Sequence, residues 1–254
     1  MFFSQPLARK VPSITPSFWV IKLVTTAMGE ATSDFLVAKY NPYFAVFAGG
    51  LALVLAFILQ FRLRRYNSWA YWLTASMVAV SGTMAADGLH VQLGVPYIVS
   101  ASLFAVALVL VFVLWFKSEG SLSIHTITTR KREVFYWLVV MATFALGTAL
   151  GDLTATTFGL GYFSAGIMFL IIIIIPAVVY LISKRREVLW FWFAYIITRP
   201  LGASFADYFS KSRSVGGLGF GDGRVAFVLA AVIIVLVALM SVRLRSAKKT
   251  RYSS

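Results

Sequence analysis

Apolar residues run along this chain in long blocks separated by short polar turns. AVFAGGLALVLAFILQF (45–61), YIVSASLFAVALVLVFVLWF (97–116) and GYFSAGIMFLIIIIIPAVVYLI (161–182) carry no charge at all. Each is close to the roughly 20 apolar residues that cross a bilayer as an α-helix. The pattern predicts eight helices, over 17–37, 43–62, 69–90, 96–117, 133–157, 161–183, 187–209 and 224–244. The connections YNP and LGVP are short turns, and SKSRSVGGLGFGDGR is the one longer loop on that side. The expected fold is an all-α, polytopic membrane protein with eight transmembrane helices.

Composition agrees with this reading: 60% of the 254 residues are hydrophobic and 13% are charged, too apolar for an ordinary soluble domain. The net charge of +14 would suggest nucleic acid in a soluble protein. No basic stripe with interleaved aromatics forms such a module, so no nucleic-acid partner is expected. The basic residues sort instead by side. Arg9 and Lys10, Arg62, Arg64 and Arg65, Lys117 and Arg130 to Arg132, Lys184 to Arg186, and Arg243, Arg245, Lys248, Lys249 and Arg251 give 17 on one face. Only Lys39, Lys211, Arg213 and Arg224 fall on the other. By the positive-inside rule both termini are cytoplasmic, and the basic ends touch anionic membrane lipids. The chain has no cysteine, which excludes disulfides and cysteine-ligated metal centres. MFFSQPLARKVPSITPS lacks the pattern of a cleaved signal peptide, so the first helix is expected to direct insertion.

The odd-numbered helices repeat one another. Aligned without gaps they read FWVIKLVTTAMGEATSD (18–34), YWLTASMVAVSGTMAAD (71–87), YWLVVMATFALGTALGD (136–152) and FWFAYIITRPLGASFAD (191–207). Each holds a Trp (Trp19, Trp72, Trp137, Trp192), a Gly ten residues later (Gly29, Gly82, Gly147, Gly202) and an Asp fifteen residues after the Trp (Asp34, Asp87, Asp152, Asp207). The units start 53, 65 and 55 residues apart, and the polar linker KSEGSLSIHTITTRKRE (117–133) absorbs the long interval as a boundary between two halves. Two helices per unit is an even number, so the four copies are parallel, related by an axis near the membrane normal. The expected organisation is a cytoplasmic N-terminus (1–16), repeats at 17–65, 69–117, 133–186 and 187–245, a cytoplasmic linker (118–132) and a basic tail (246–254).

The spacing assigns roles. The Trp rings are expected to anchor at the cytoplasmic interface. Fifteen residues of helical rise place each Asp about 22 Å further out, in the outer third of a core about 30 Å thick. The glycines lie about 140° round the helix from the Asp, on a face suited to close helix packing. One turn before the Asp, on its own face, stand Glu30, Thr83, Thr148 and Ala203. Five of the nine acids are then inside the membrane, where a carboxylate is costly and marks function by default. The functional reading is that Glu30, Asp34, Asp87, Asp152 and Asp207 line a polar cavity and handle a small cation or protons. Oxygen ligands suit hard or borderline divalent ions such as Mg²⁺ or Mn²⁺, and like charges in proximity exchange protons. The bland reading is that each Asp fixes the bundle by hydrogen bonding. Lys22 is expected to snorkel to the cytoplasmic interface. Arg199, followed by the helix-interrupting Pro200, would tune the acids by ion pairing or contact an anion. His90, one turn past Asp87, either faces the same cavity or is an ordinary hydrogen bonder. GFGD (219–222) resembles the motif of intramembrane aspartyl proteases, but the companion Tyr-Asp of the preceding helix is reversed here as Asp207-Tyr208. No P-loop, HExxH or GxSxG occurs, so no enzyme and no cofactor are expected.

The four copies of [FY]W-x9-G-x4-D, with TTAMGEATSD, FALGTALGDL and TRPLGASFAD, resemble a family of bacterial integral membrane proteins. That family is built from four tandem repeats of unknown function, each of two helices with a characteristic Trp, and the likeness spans 17–245. The resemblance implies a bacterial inner-membrane protein of eight helices and brings no activity. The residues themselves lead to a secondary transporter or exporter of a small cation, possible cargo including manganese, coupled to protons through Asp34, Asp87, Asp152, Asp207 and Glu30. In that scheme two four-helix halves rock about 117–133. The alternative is a non-transporting scaffold or sensor.

Overall fold

The computed structural model describes residues 9–182 and 186–252, with the backbone alone at Tyr180, Leu181 and 244–252. Lys184, Arg185, the first eight residues and the side chains of the basic tail, on which part of the charge asymmetry rests, lie outside this description. Among the described residues there are eight long helices and no strand: α1 Pro16–Lys39, α2 Pro42–Arg62, α3 Ser68–Asp87, α4 Tyr97–Glu119, α5 Arg130–Asp152, α6 Tyr162–Ile182, α7 Glu187–Ser210 and α8 Asp222–Tyr252. Local chemistry sets their starts. Thr15, Asn41, Asn67 and Thr129 each cap a helix by accepting from a backbone N–H of its first turn, and Pro16 and Pro42 occupy the first helical position. The third and fifth helices were expected to run unbroken to 90 and 157. Both instead widen into a π turn directly after the repeated Asp, at Gly88–Gln92 and Leu153–Thr157. First and fourth copies continue as α-helix to Lys39 and Ser210.

Six helices are long and apolar enough to cross a membrane: α2, α4, α5 with its π turn, α6, α7 and α8 as far as Arg243. The other two, α1 and α3, fall short for a compositional reason. Lys22, Glu30, Asp34 and Lys39 all lie in α1, and α3 is rich in Ser, Thr, Trp and Tyr. These two helices are inner ones. The odd helices α1, α3, α5 and α7 pack in a closed ring, each on the next and α7 back on α1. The even helices lie outside, and each packs chiefly on the first helix of the following unit: α2 on α3, α4 on α5, α6 on α7 and α8 on α1. Their outer faces are rows of exposed apolar side chains, such as Leu51, Leu55 and Ile58 of α2 or Val106, Leu110 and Leu114 of α4. Apolar area of this extent needs lipid or protein to cover it.

The repeated glycines set the ring spacing. A Cβ on Gly29 would collide with Ala79, one on Gly82 with Phe144, one on Gly147 with Arg199 and one on Gly202 with Thr26. Each partner sits three residues before the glycine of the next unit, and the fourth contact closes on the first. The expected division into two four-helix halves at 117–133 does not fit this packing. α4 packs across that boundary onto α5, and α8 returns to α1, so each half holds a helix of the other. The linker tucks under the Trp end of the ring, with Ile124 and Ile127 buried and Leu122 O accepting from Trp192 Nε1. The segment from Arg9 joins it, through Lys10 N–H to Ile127 O and Tyr66 N–H to Arg9 O. Lys10 Nζ lies 2.5 Å from Glu133 Oε2, and Gln60 donates to the other Glu133 oxygen at 2.9 Å.

Candidate functional site

Every fourth residue of each ring helix forms one inward stripe, buried except at Asp34, Asp87 and Asp152, because a spacing of four returns near the same helix face. In α1 it reads Phe18, Lys22, Thr26, Glu30, Asp34; in α3 Tyr71, Ala75, Ala79, Thr83, Asp87; in α5 Tyr136, Val140, Phe144, Thr148, Asp152; in α7 Phe191, Tyr195, Arg199, Ala203, Asp207. Stacked together these make layers from the Trp end to the Asp end. The first is aromatic, with Tyr71 and Tyr136 joined through their hydroxyls and Phe18 packed near Phe191.

The repeated Trp set was expected to anchor at the lipid interface. Trp72, Trp137 and Trp192 are instead buried in the bundle, and Trp19 is half-buried. The three buried rings make edge-to-face contacts with Tyr71, Tyr136 and Tyr195. Lys22 does not snorkel either. Its Nζ is buried, without a hydrogen-bond partner among the described residues, 3.6 Å from the Tyr195 ring centroid and 5.0 Å from that of Phe144. The two rings take the place of water around the buried Nζ.

Arg199 crosses the middle of the ring and is fully buried. Its Nη2 donates to Glu30 Oε2 at 2.6 Å, to Thr148 Oγ1 at 2.7 Å and to Thr83 Oγ1; Nη1 donates to Thr26 O at 2.7 Å and Nε to Phe144 O at 3.4 Å. One guanidinium thus binds α1, α3 and α5 from α7. Room for it comes from Ala203, one turn further along, where the other copies carry Glu30, Thr83 and Thr148. Pro200 does not break α7, which runs through it as helix. No anion is needed to satisfy Arg199, because Glu30 and four neutral acceptors already do so.

At the Asp end the acids divide. Glu30, Asp34 and Asp207 can each offer an oxygen within 4.8 Å of the others. Asp207 Oδ1 is buried and has no hydrogen-bond partner among the described residues. Asp87 and Asp152 are half-buried, stand at the start of the two π turns and do not join this trio. His90 is not in the group. Its Nδ1 sits 2.8 Å from Val95 O and its ring stacks on Tyr97 at 3.6 Å, so it serves the turn between α3 and α4.

The residue that sequence reasoning left out is Lys211. Its Nζ lies 2.5 Å from Asp34 Oδ2, 3.4 Å from Asp222 Oδ1 and 3.9 Å from Asp207 Oδ1. Burial alone would lower its pKa; the carboxylates of Asp34, Asp207 and Asp222 outweigh that and raise it, so the ammonium stays charged. Its place four residues after Asp207 put both on one helix face and was the available signal. Chemically, three close carboxylates, one with an oxygen that accepts no hydrogen bond among the described residues, form an oxygen donor set for a hard cation or a shared proton.

Comparison with known proteins adds a family. The family described as Repeat of Unknown Function (DUF347) matches four times in tandem, at residues 17–66, 70–121, 135–186 and 190–246. No curated protein and no solved structure matches the chain.

Proposed function

The chain belongs to the family of tandem repeats of unknown function, and since that membership carries no activity, we propose from its own geometry that it is a secondary transporter of a small cation, coupled to protons. The carrying observation is the Glu30–Asp34–Asp207 trio, in which Asp207 Oδ1 accepts no hydrogen bond among the described residues. In this reading all eight helices span a bacterial inner membrane, α1 and α3 included because the outer helices shield them from lipid. The four units share a pseudo-fourfold axis along the membrane normal, which the cyclic glycine contacts support. Both termini are cytoplasmic, by the distribution of Lys and Arg. The Asp end then opens outward. The trio holds the cation, and Asp87 and Asp152, at the same level on the ring, take up and release protons as it binds and leaves. The Arg199–Glu30 ion pair seals the axis below the site and keeps one charge of the trio balanced.

A second reading is favoured by that same ion pair: a scaffold whose acids are fully employed in holding four helices together. Flux separates the two. Purified protein in proteoliposomes with an internal pH dye is challenged in turn with Mn²⁺, Mg²⁺, Zn²⁺, Na⁺ and K⁺. The transporter reading expects a pH change with one of these ions that Asp34→Asn and Asp87→Asn abolish while the protein stays folded. Silence for every ion, with both variants merely less stable, replaces it by the scaffold.

A further inference from the structure

Lys211 Nζ stands against one edge of the acidic trio. Two of its three carboxylate neighbours, Asp34 and Asp207, belong to the trio. Its backbone is pinned. Lys211 N–H donates to Asp207 O at 2.8 Å, and Lys211 O accepts from Gly219 N–H at 2.8 Å. Leu218, Phe220 and Gly221 return N–H groups to the carbonyls of Tyr208, Phe209 and Ser210, so the loop folds back along the last turn of α7. Gly217 packs against the Lys211 carbonyl so closely that any Cβ there would collide with it. Only the four-carbon side chain is left to move. That side chain is 27% exposed, which gives the ammonium a route to water.

We infer that Lys211 is a tethered counter-cation: its ammonium occupies the Glu30–Asp34–Asp207 site until a divalent cation takes its place and the side chain swings out to water. The inference rests on the cation reading above and deepens it to a substrate class. A tethered group competes at an effective concentration of about millimolar or more. A monovalent ion gains no charge over the ammonium that it displaces. A divalent ion adds one positive charge to a cluster of carboxylates, and carboxylate oxygens suit Mg²⁺ and Mn²⁺. The tether therefore disfavours monovalent ions at this site, and Asp222 is left to receive the displaced ammonium.

The test is calorimetric titration of MnCl₂ into the purified full-length chain in detergent, as native protein, Lys211→Met and Arg213→Gln. Arg213→Gln removes a positive charge from the same loop without touching the trio. Removing the tether is expected to tighten Mn²⁺ binding at least about tenfold, while Arg213→Gln stays within about twofold of native because its charge is screened. Lys211→Met binding no more tightly, or Arg213→Gln tightening it equally, overturns the inference. A second measurement needs no variant. Acylation of Lys211 in the native protein, read by mass spectrometry against Lys39, is expected to rise severalfold in saturating Mn²⁺; an unchanged ratio overturns the inference as well. Native protein that transports the ion while Lys211→Met binds it no better leaves the transporter standing and removes only the tether. Absence of both flux and binding removes the two together.

Discussion

Arg199 offers the sharpest test of how the ring is held. Arg199→Met keeps the aliphatic volume and deletes the guanidinium. Three things are lost together: the 2.6 Å ion pair with Glu30, the donors to Thr148 and Thr83, and the bonds to the carbonyls of Thr26 and Phe144. The two carbonyls belong to helices and keep their backbone partners. The threonines can turn their hydroxyls to Glu30, which they approach at 3.1 and 3.4 Å. The large cost is Glu30, 3% exposed and left without its counter-charge. Removing one partner of a buried pair costs about 3–5 kcal/mol. For a chain of this length that lowers the unfolding midpoint by roughly 6–20 °C. Midpoints are read by thermal unfolding in detergent for Arg199→Met, Glu30→Gln and the double variant. The double variant is expected to recover at least about 1 kcal/mol relative to the sum of the singles, because it removes both charges. Arg199→Lys should rescue little, since one ammonium cannot reach three helices at once. Additive single effects, or a midpoint unmoved by Arg199→Met, would refute the idea that this guanidinium ties the ring.

Three other outcomes follow from single positions. Gly82→Ala, which forces a Cβ into Phe144, is expected to destabilise by about 1–3 kcal/mol, while Gly50→Ala, with open space around its Cβ, is not; chemical unfolding of the pair of variants reads the contrast. Lys10→Met strands the fully buried Glu133 and is expected to cost about 3–5 kcal/mol, a loss that adding Glu133→Gln largely reverses in the same melt. Lys22→Met replaces a buried amino group that has no hydrogen-bond partner among the described residues by an apolar side chain of like length, and is expected to raise stability by about 1–3 kcal/mol; a lower midpoint would mean that the contacts with Tyr195 and Phe144 outweigh the unpartnered Nζ.

The repeat makes much of this fold legible in the sequence alone. Equal spacing of Trp, Gly and Asp placed four helices in one register, and the closed ring has that register. What the spacing does not carry is the direction in which an amphipathic side chain is satisfied. Trp72 and Lys22 were read by the habits of a lone membrane helix, for which the interface is the favourable place. Within a ring of four aromatic-rich copies, other rings are nearer than headgroups and solvate them instead. Arg199 could have been placed by one departure. Ala203 leaves a gap at a layer filled elsewhere by Glu30, Thr83 and Thr148, and a long side chain one turn earlier fills it. Lys211 opens a polar loop in the sequence, yet the i, i+4 spacing from Asp207 ties it to the acids. The pairing of each even helix with the following unit was not readable, because uniform apolar stripes on α2, α4, α6 and α8 fit either neighbour.

Duplication gave four equal places on the axis, yet the charged departures from the repeat are not spread equally. Lys22 and Glu30 belong to the first unit, Arg199 and Lys211 to the fourth. These units are remote in sequence and adjacent in the ring, where α7 meets α1. The trio lies at that seam as well, with Glu30 and Asp34 on one side and Asp207 on the other. Asp87 and Asp152 stand at the same repeat position away from it. If the fourfold pattern itself bound the cation, all four Asp→Asn variants would weaken Mn²⁺ binding alike. If the seam binds it, Asp34→Asn and Asp207→Asn remove ligands, and losses beyond the roughly 10–100-fold typical of changes outside the ligand shell are expected. Asp87→Asn and Asp152→Asn then act only through the field at a distance and cost less than about tenfold. Four calorimetric titrations on folded variants decide it. Equal losses at all four positions would return the site to the ring as a whole and take the special role from the α1–α7 seam.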